Sequence, residues 1–228
     1  MGKPTKVLNS EIVKTYGLNA GASVVGIATS QDFNLAPEGF KPSDHLAGCL
    51  SVIVLGAPFP QEALLNSTEY TAHRKIMIEK INTIAKNVAK QIKADGYKAR
   101  DISGFGGKWV NGKQFGLISL KHAAELAGLG LINRNYLLTN PIYGNLLWFS
   151  AVLTDAELTP DKKTQDIVCD NCNKCVELCP SKALTTPDLF GKSECAGMCF
   201  KMINAHWQVS CYVCRKTCPH RFGKQLPP

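Results

Sequence analysis

The stretch C-D-N-C-N-K-C-V-E-L-C-P, residues 169–180, decides how the C-terminal part of this chain folds. Two residues separate Cys169 from Cys172 and Cys172 from Cys175, and Cys179 follows with Pro180 behind it. This spacing is typical of loops that ligate a [4Fe–4S] cluster through thiolates, and the last cysteine of such a run serves a second cluster. A single cluster therefore leaves Cys179 without a role, so a second set of cysteines is needed.

The second set lies downstream. It consists of Cys195, Cys199, Cys211, Cys214 and Cys218, the last of which precedes Pro219. In ferredoxins that carry two clusters, the two groups of cysteines exchange a ligand. On that pattern, one predicted cluster takes Cys169, Cys172, Cys175 and Cys218. The other takes Cys179, Cys211, Cys214 and either Cys195 or Cys199.

A structural zinc site is the alternative, because zinc sites also use pairs of cysteines separated by two residues. A zinc ribbon has no need of three cysteines in close succession followed by a fourth and a proline. The sequence therefore predicts two [4Fe–4S] clusters. Some sixty residues bury little core, so bound metal is expected to supply much of the stability of this region. Cys49, at the entry to an apolar strand pattern, is expected to be a core residue.

The bulk composition indicates a globular cytoplasmic protein. Hydrophobic residues make up 45% of the 228-residue chain and charged residues 19%, which argues against disorder. Nine of the ten cysteines follow residue 168, so disulfides would leave most of the chain unbridged. The N-terminus shows no apolar stretch typical of a signal peptide, and the longest apolar run, residues 46–59, is too short to span a bilayer. We expect a reducing cytoplasmic location and no membrane association.

The formal net charge of +8 counts every cysteine as neutral. Two oxidised four-iron clusters with their thiolates add about −4. The loaded protein would then be only mildly basic, so its charge gives no argument for a nucleic-acid partner.

Residues 1–160 show alternating strand and helix patterns, which predicts an α/β domain. The predicted strands are 22–28, 50–57, 98–103 and 145–153. The predicted helices are 11–18 with Ser10 as N-cap, 68–94, and 119–127 with Gly128 in its C-cap turn. Residues 31–48 are predicted as a loop and the glycine-rich residues 104–113 as a hairpin-like loop. A polar linker after Pro160 sets the boundary to a second domain, residues 161–228.

As a whole, the chain resembles the epoxyqueuosine reductases and, more distantly, the reductive dehalogenases. The resemblance rests on residues 21–28, 40–56 and 70–73, and most of all on K-H-A-A-E-L-A-G-L-G-L-I-N-R-N-Y-L-L-T-N-P-I-Y-G-N at 121–145. It implies a nitroreductase-like three-layer α/β (α+β) domain, followed by a small ferredoxin-like domain with two [4Fe–4S] clusters. The spacing between Cys179 and Cys195 fits the family pattern without a gap, which favours Cys195 over Cys199.

The resemblance also implies a function. The clusters pass electrons to a corrinoid (cobalamin), with a flavin as the other candidate, and the cofactor reduces a substrate. The candidate cofactor-binding residues are His73, Gly128, Gly130 and Asn133. An electron donor such as a ferredoxin, a flavodoxin or a reductase is needed. The alternative is an electron-transfer protein with two clusters and no small organic cofactor, although a mere carrier would not need a large α/β domain.

Two departures from the family pattern bear on the substrate. Epoxyqueuosine reductases carry an aspartate acid in a D-S-x-P-x-x-E-like segment shortly before the A-G-L-G turn, whereas residues 114–120 here read Q-F-G-L-I-S-L. Asp101 is the candidate to replace that acid. The chain also ends nine residues after Pro219, without the expected tRNA-binding extension. Both departures lead us to expect a small-molecule substrate in place of tRNA.

Overall fold

The computed structural model describes residues 7–110, 113–165, 168–185 and 192–224. The chain forms two compact units, which we call the sheet unit and the cysteine unit. The sheet unit comprises Met1–Ala57, Ile78–Leu129 and Trp148–Thr164, and the cysteine unit comprises Pro58–Met77, Gly130–Leu147 and Gln165–Pro228. The sequence places one boundary after residue 160, whereas this division also assigns two earlier segments, 58–77 and 130–147, to the unit that holds the cysteine run.

The helices and strands are short, apart from one long helix. The helices are α1 (Ser10–Asn19), α2 (Ser67–Ala94), α3 (Leu120–Leu126), α4 (Lys174–Glu177), α5 (Lys192–Cys199) and α6 (Val213–Lys216). The strands are β1 (Val24–Thr29), β2 (Ser51–Pro58), β3 (Ala99–Ile102), β4 (Lys108–Val110), β5 (Lys113–Phe115), β6 (Leu131–Ile132), β7 (Leu138–Thr139), β8 (Leu147–Thr154), β9 (Phe200–Ile203) and β10 (His206–Val209).

The sheet unit is built on a four-stranded sheet with the order β1-β2-β8-β3. Strand β1 is antiparallel to β2, and β3 is antiparallel to β8. Strand β2 is buried from Ser51 to Ala57, which explains why its sequence is apolar at nearly every position and does not alternate.

Helices cover both faces of this sheet. Successive residues of a strand face opposite sides of the sheet. The side chain of Val25 therefore points to one face, and a Cβ built on Gly26 would point to the other. A Cβ built on Gly17 of α1 would lie 2.6 Å from Val25, whereas a Cβ built on Gly26 would collide with the carbonyl oxygen of Ala127, which caps α3. Helices α1 and α3 therefore lie on opposite faces. The mixed α/β class that the sequence predicts is confirmed.

Helix α2 supplies most of the remaining core of the sheet unit. Its residues Ile81, Ile84, Val88 and Ile92 are buried at helical spacing. The hydroxyl of Ser150 in β8 donates a hydrogen bond to the carbonyl oxygen of Ile81 at 3.0 Å. These contacts fix the helix on the sheet through both apolar packing and a buried polar bond.

The segment after Pro160 covers the edge of the sheet at β1. The backbone N–H of Asp161 donates to the carbonyl oxygen of Ile27 at 2.8 Å, and its Oδ2 accepts from the N–H of Ile27 at 2.9 Å. Its Oδ1 lies 2.5 Å from Nζ of Lys14. The predicted linker thus satisfies backbone groups that an edge strand would otherwise leave open.

The predicted elements of the sheet unit are confirmed, with small shifts at their ends. Two details differ. The N-cap of α1 is Asn9, whose side chain accepts from the N–H of Ile12 at 2.9 Å, so the prediction of Ser10 is wrong; Ser10 instead donates to Thr159 at 2.8 Å. The predicted loop 31–48 contains two short 3-10 helices, Ser30–Phe33 and Pro42–Asp44.

The glycine-rich hairpin and the glycine C-cap are also confirmed. Strands β4 and β5 pair in antiparallel fashion. Gly128 follows α3 with φ of +73°, a left-handed conformation that glycine adopts readily. Within the described ranges, no helix combines the length and apolar character needed to cross a membrane.

Ser51 gives a test of the buried polar contacts in the sheet unit. Its hydroxyl donates to the carbonyl oxygen of Ala156 at 2.8 Å and accepts from the N–H of Leu158 at 3.0 Å, at 1% exposure. Ser51→Ala leaves both backbone groups buried without a partner, so the free energy of unfolding should fall by about 2 kcal/mol. Urea unfolding followed by circular dichroism measures the change.

Ser43→Ala is the matched control, because Ser43 is exposed. It should change the free energy of unfolding by less than about 0.5 kcal/mol. Equal losses in the two variants would contradict the role assigned to Ser51.

Candidate metal centre

The first cysteine loop turns through two left-handed residues. Asn171 has φ of 57° and Asn173 has φ of 62°, a conformation that asparagine tolerates better than most side chains. The N–H of Cys172 donates to Oδ1 of Asp170 at 3.1 Å. Left-handed residues between right-handed ones aim successive N–H groups into a concave surface, which is a common way to bind phosphates and iron–sulfur clusters.

Four cysteines line one recess together. They are Cys169, Cys172, Cys175 and Cys218, and the recess also includes Asn133, Thr139 and His220. Burial raises the pKa of the Cys218 thiol, and the neighbouring Cys169, Cys175 and Cys172 raise it further. Burial followed by the charge of Cys169 raises the pKa of Cys175 in the same way. The structure therefore brings Cys218 to the loop that begins at Cys169.

The remaining cysteines of the C-terminal region gather in a second group. Burial raises the pKa of Cys214 to about 12, against the lowering effect of Arg215, with smaller contributions from Cys195 and Cys211. Cys179 is buried with Ala183 and Leu184, and Cys195 and Cys214 of the second group pack against these residues, as does Cys175 of the first. Cys179 therefore lies where the two groups meet.

Cys195 and Cys199 lie one turn apart on α5, with their sulfur atoms 3.5 Å from each other. The hydrogen bond with Cys195, and then burial, raise the pKa of Cys199. Cys195 is the one that packs against the residues around Cys179. This packing favours Cys195 as the fourth member of the second group. Because the sulfur atom of Cys199 lies only 3.5 Å from that of Cys195, both remain candidates.

The donor chemistry of both groups fits iron–sulfur clusters. The first group offers four thiols and the second has five candidates, the ligands that such clusters take, and the first loop adds a left-handed turn suited to an anion. Among the described residues, no three or more His, Cys, Asp or Glu side chains are arranged to hold a metal ion.

Residues 130–147 support the cysteine segments from outside the predicted cysteine domain. Arg215 is buried and donates from Nη1 to the carbonyl oxygen of Asn145, while Nδ2 of Asn145 lies 3.4 Å from the carbonyl oxygen of Arg215. Nδ2 of Asn135 lies 3.5 Å from the carbonyl oxygen of Cys214. Cysteine spacing alone does not point to these residues. The available signal was three asparagines in the apolar stretch 135–145, since buried amides need partners.

The residues proposed to bind an organic cofactor contact their own chain. Nδ1 of His73 lies 2.9 Å from the carbonyl oxygen of Glu69, one turn earlier in α2. A Cβ on Gly128 would collide with the carbonyl oxygen of Lys162, and one on Gly130 with that of Thr139. Packing alone therefore accounts for both glycines, and these three residues do not by themselves form a cradle for a corrinoid.

The other candidates lie in different units. Asn133 belongs to the cysteine unit, where it closes a turn with Tyr136 (2.8 Å between Tyr136 N and Asn133 O) and lines the recess of Cys169. Asp101 belongs to the sheet unit, in β3 opposite Val152. Cys49 is buried in the sheet unit, which confirms it as a core residue.

Gly144 tests how the 130–147 segment supports the cysteines. It has φ of +59°, and a Cβ would collide with the backbone of Arg221 and His220, just after Cys218. Gly144→Ala should therefore lower the free energy of unfolding of the cysteine unit by about 2 kcal/mol or more.

Gly197→Ala is the matched control, because Gly197 lies in α5 with open space around its Cα. It should leave stability unchanged or raise it by up to about 1 kcal/mol. Hydrogen exchange of the cysteine unit measures both.

Relatives in sequence are found among the epoxyqueuosine reductases, although no protein-family model matches the chain. The chain is 28% identical over 121 residues to the epoxyqueuosine reductase of Bacillus subtilis strain 168, covering 49% of the chain and 31% of that protein. It is 25% identical over 214 residues to the epoxyqueuosine reductase of Prochlorococcus marinus strain NATL2A, covering 85% of the chain and 64% of that protein. The chain thus spans less than two thirds of the length of these curated relatives.

Solved structures show a similar fold. An epoxyqueuosine reductase crystallised with an epoxyqueuosine-modified tRNA-Tyr stem loop matches with a TM-score of 0.66 at 19% identity, over 95% of this chain and 66% of that one. A reductive dehalogenase whose structure suggests a mechanism for B12-dependent dehalogenation matches with a TM-score of 0.61 at 23% identity, over 80% of this chain and 27% of that one. The resemblance drawn from the sequence is therefore confirmed: this chain is related in sequence to the epoxyqueuosine reductases and shares its fold with them and with the reductive dehalogenases.

Proposed function

We propose that this protein is an iron–sulfur oxidoreductase in which two [4Fe–4S] clusters pass electrons to a small organic cofactor and on to a substrate. The observation that carries the proposal is the exchange of cysteines between the two groups. Cys218 lines a recess with Cys169, Cys172 and Cys175, while Cys179 lies in a cluster that Cys195 and Cys214 of the second group share with Cys175 of the first. Groups that exchange a member would hold two clusters side by side, as an electron relay requires.

The protein's own groups would set the potentials of the two clusters. In the first loop, the turn at Asn171 and Asn173 aims N–H groups inward, and hydrogen bonds to cluster sulfurs stabilise added negative charge. In both groups burial disfavours that charge, as the raised pKa of Cys218 and of Cys214 indicates, and at Cys214 the neighbouring Arg215 opposes the effect of burial.

The acceptor of these electrons is proposed from fold likeness to a B12-dependent dehalogenase. A corrinoid supplies a redox-active cobalt that can reduce substrates, and a flavin is the other candidate. His73, Gly128, Gly130 and Asn133 are the proposed contacts of this cofactor, and Asp101 is the proposed proton donor. The contacts that the structure shows for His73, Gly128 and Gly130 are with other residues of the chain.

The proposed substrate is a small molecule. A tRNA stem loop is bound in one solved relative, but residues 114–120 carry no carboxylate at the positions of the family acid. The proposed electron donor is a ferredoxin, a flavodoxin or a reductase, and the proposed location is the cytoplasm, whose reducing conditions keep the thiols available.

A second candidate function is an electron-transfer protein with two clusters and no organic cofactor. The observation that favours it is that His73, Gly128 and Gly130 are explained by packing and hydrogen bonds within the chain. The two candidates share the clusters and differ only in the cofactor.

Anaerobic reconstitution of the protein should yield about eight irons and eight sulfides per chain. Double variants then test which cysteines share a cluster. Cys172→Ala with Cys218→Ala removes two ligands of one proposed cluster and should leave about four irons with an intact second cluster. Cys172→Ala with Cys179→Ala removes one ligand from each cluster and should damage both. Iron analysis and Mössbauer spectra of the two variants measure the difference.

Cys49→Ala is the control for this series, because Cys49 is buried in the sheet unit. It should retain the full iron content. The opposite result, with one cluster intact in the Cys172/Cys179 variant and both damaged in the Cys172/Cys218 variant, would overturn the exchange of cysteines. Zinc in place of iron and sulfide in anaerobically purified protein would overturn the proposed function.

Cofactor binding separates the enzyme from the electron carrier. Anaerobic gel filtration of the reconstituted protein with hydroxocobalamin, and in parallel with FMN, should show one of them eluting with the protein with a changed visible spectrum. Retention of neither would select the electron-transfer protein. Free hydroxocobalamin run alone gives the baseline.

A further inference from the structure

The chain between Cys199 and Cys211 forms a two-stranded hairpin of β9 and β10. The strands turn at Asn204 and Ala205, which both have positive φ of 48° and 62°, as a two-residue turn of type I′ requires. Met202 pairs with Trp207 and Phe200 pairs with Val209. Because side chains alternate along a strand, these four apolar side chains share one face of the hairpin.

Of the four side chains on this face only Val209 is covered, and Phe200 beside it at the base is 37% exposed. Val209 is 5% exposed and its N–H donates to Oγ1 of Thr71 at 2.9 Å. Towards the tip, Met202 is 55% exposed and Trp207 is 64% exposed. A two-stranded hairpin is marginally stable on its own, and exposed apolar side chains on such an element indicate a contact surface.

The hairpin leads directly to the second group of cysteines. The N–H of Ser210 donates to the carbonyl oxygen of Cys199 at 2.7 Å, which closes the base of the hairpin beside that thiol. Cys211 follows in the chain, and Cys211 and Cys214 both influence the pKa of Cys199. A protein bound to the exposed face would therefore sit close to the second proposed cluster.

The C-terminal segment that contains the hairpin has more basic than acidic residues, and the exposed Glu194 on α5 is the acidic residue next to it in the sequence. Residues 195–224 contain no Asp or Glu and five basic residues: Lys201, Arg215, Lys216, Arg221 and Lys224. Of these, Lys216 and Lys224 are exposed, as is Lys201, which pairs with Gln208 on the face of the hairpin opposite Trp207. The guanidinium of Arg74 lies 5.2 Å from the centre of the Phe200 ring at the base. An apolar face with basic surroundings is complementary to an acidic protein surface.

We propose that the exposed face of this hairpin, with Trp207 at its centre, is the docking site of an acidic one-electron carrier protein. The proposal rests on the proposed function and adds the place where electrons enter. The reduced carrier would lose one electron, and the adjacent oxidised cluster would gain it; no bond or proton is exchanged. Redox encounters of this kind use small interfaces, in which a single tryptophan can provide much of the binding energy.

Two other occupants fit the observations less well. A second copy of the chain would bring its own basic segment against this one, which like-charge repulsion disfavours. RNA binding relies on many contacts between basic residues and phosphates, and the hairpin carries only one lysine among the ten residues 200–209. A carrier protein uses both the apolar face and the moderate positive charge.

The test uses the full chain after anaerobic reconstitution, with a plant-type [2Fe–2S] ferredoxin as the acidic probe. Calorimetry measures binding of the oxidised ferredoxin, and stopped-flow absorbance measures cluster reduction by the reduced ferredoxin. Trp207→Ala should weaken binding and slow reduction by about tenfold or more. Lys201→Glu should slow reduction several-fold, and the difference from wild type should shrink as salt is added.

Matched controls exist elsewhere in the chain. Trp109→Ala removes a tryptophan that is 71% exposed on the β4–β5 hairpin of the sheet unit. Lys90→Glu makes the same charge change at an exposed position of α2. Both controls should stay within about twofold of wild type in binding and rate. Direct reduction by dithionite, which needs no docking, should be equal in all four variants.

The outcomes separate the two proposals. Absence of iron and sulfide would overturn the proposed function, while calorimetry, which needs no cluster, would still test docking. Unchanged ferredoxin binding by Trp207→Ala, or no binding by the wild type, would overturn the docking site. Loss of tRNA binding with ferredoxin binding intact would assign the face to RNA, and loss of a wild-type dimer in sedimentation would assign it to a second copy; either result would overturn the proposal.

Discussion

The cysteine unit depends on one physical constraint: several thiols lie close together and buried. To bind a metal as proposed, these thiols must lose their protons. Burial raises the pKa of Cys214 and Cys218, so each thiolate is costly to form without a positive charge beside it. Iron bound to sulfur supplies that charge directly, and Arg215 supplies part of it for Cys214. The apolar cluster around Cys179 consists of small and medium side chains and itself includes cysteines. Metal binding and packing are therefore parts of the same stabilisation in this unit.

The sheet unit is stabilised in a different way, by an apolar core and satisfied polar groups. Its strands and helices bury long aliphatic side chains such as Ile53, Ile81 and Ile92 completely, and its buried polar groups, like Ser51 and Ser150, satisfy backbone atoms. This unit has the means to stay folded without any ligand. The sheet unit is thus held by a conventional core. If the cysteine unit binds the proposed clusters, the two units should respond differently to a chelator.

Local patterns in the sequence predicted what is locally determined. The period of Ile81, Ile84, Val88 and Ile92 defines α2, and the uninterrupted apolar run of β2 defines a strand covered on both faces. The spacing of the cysteines likewise predicted the loop at 169–175, because neighbouring ligands follow one another in the chain. The choice of Asn9 over Ser10 as N-cap was not decided by pattern, since both residues are good caps and stand side by side. Contacts between distant segments were not predictable: Asn145 with Arg215, and position 144 with Arg221, depend on the tertiary fold.

The division of the chain also limits how such a protein could have been assembled. Each unit is made of three separate segments, and α2 begins in the cysteine unit and ends in the sheet unit. A gene fusion that joined a ready-made ferredoxin to a ready-made α/β domain at one point would not give this arrangement. During synthesis, residues 58–77 and 130–147 leave the ribosome well before the cysteines that they later support. Those two segments must wait for residues 165–224, so the cysteine unit can be completed only after these later residues have been translated.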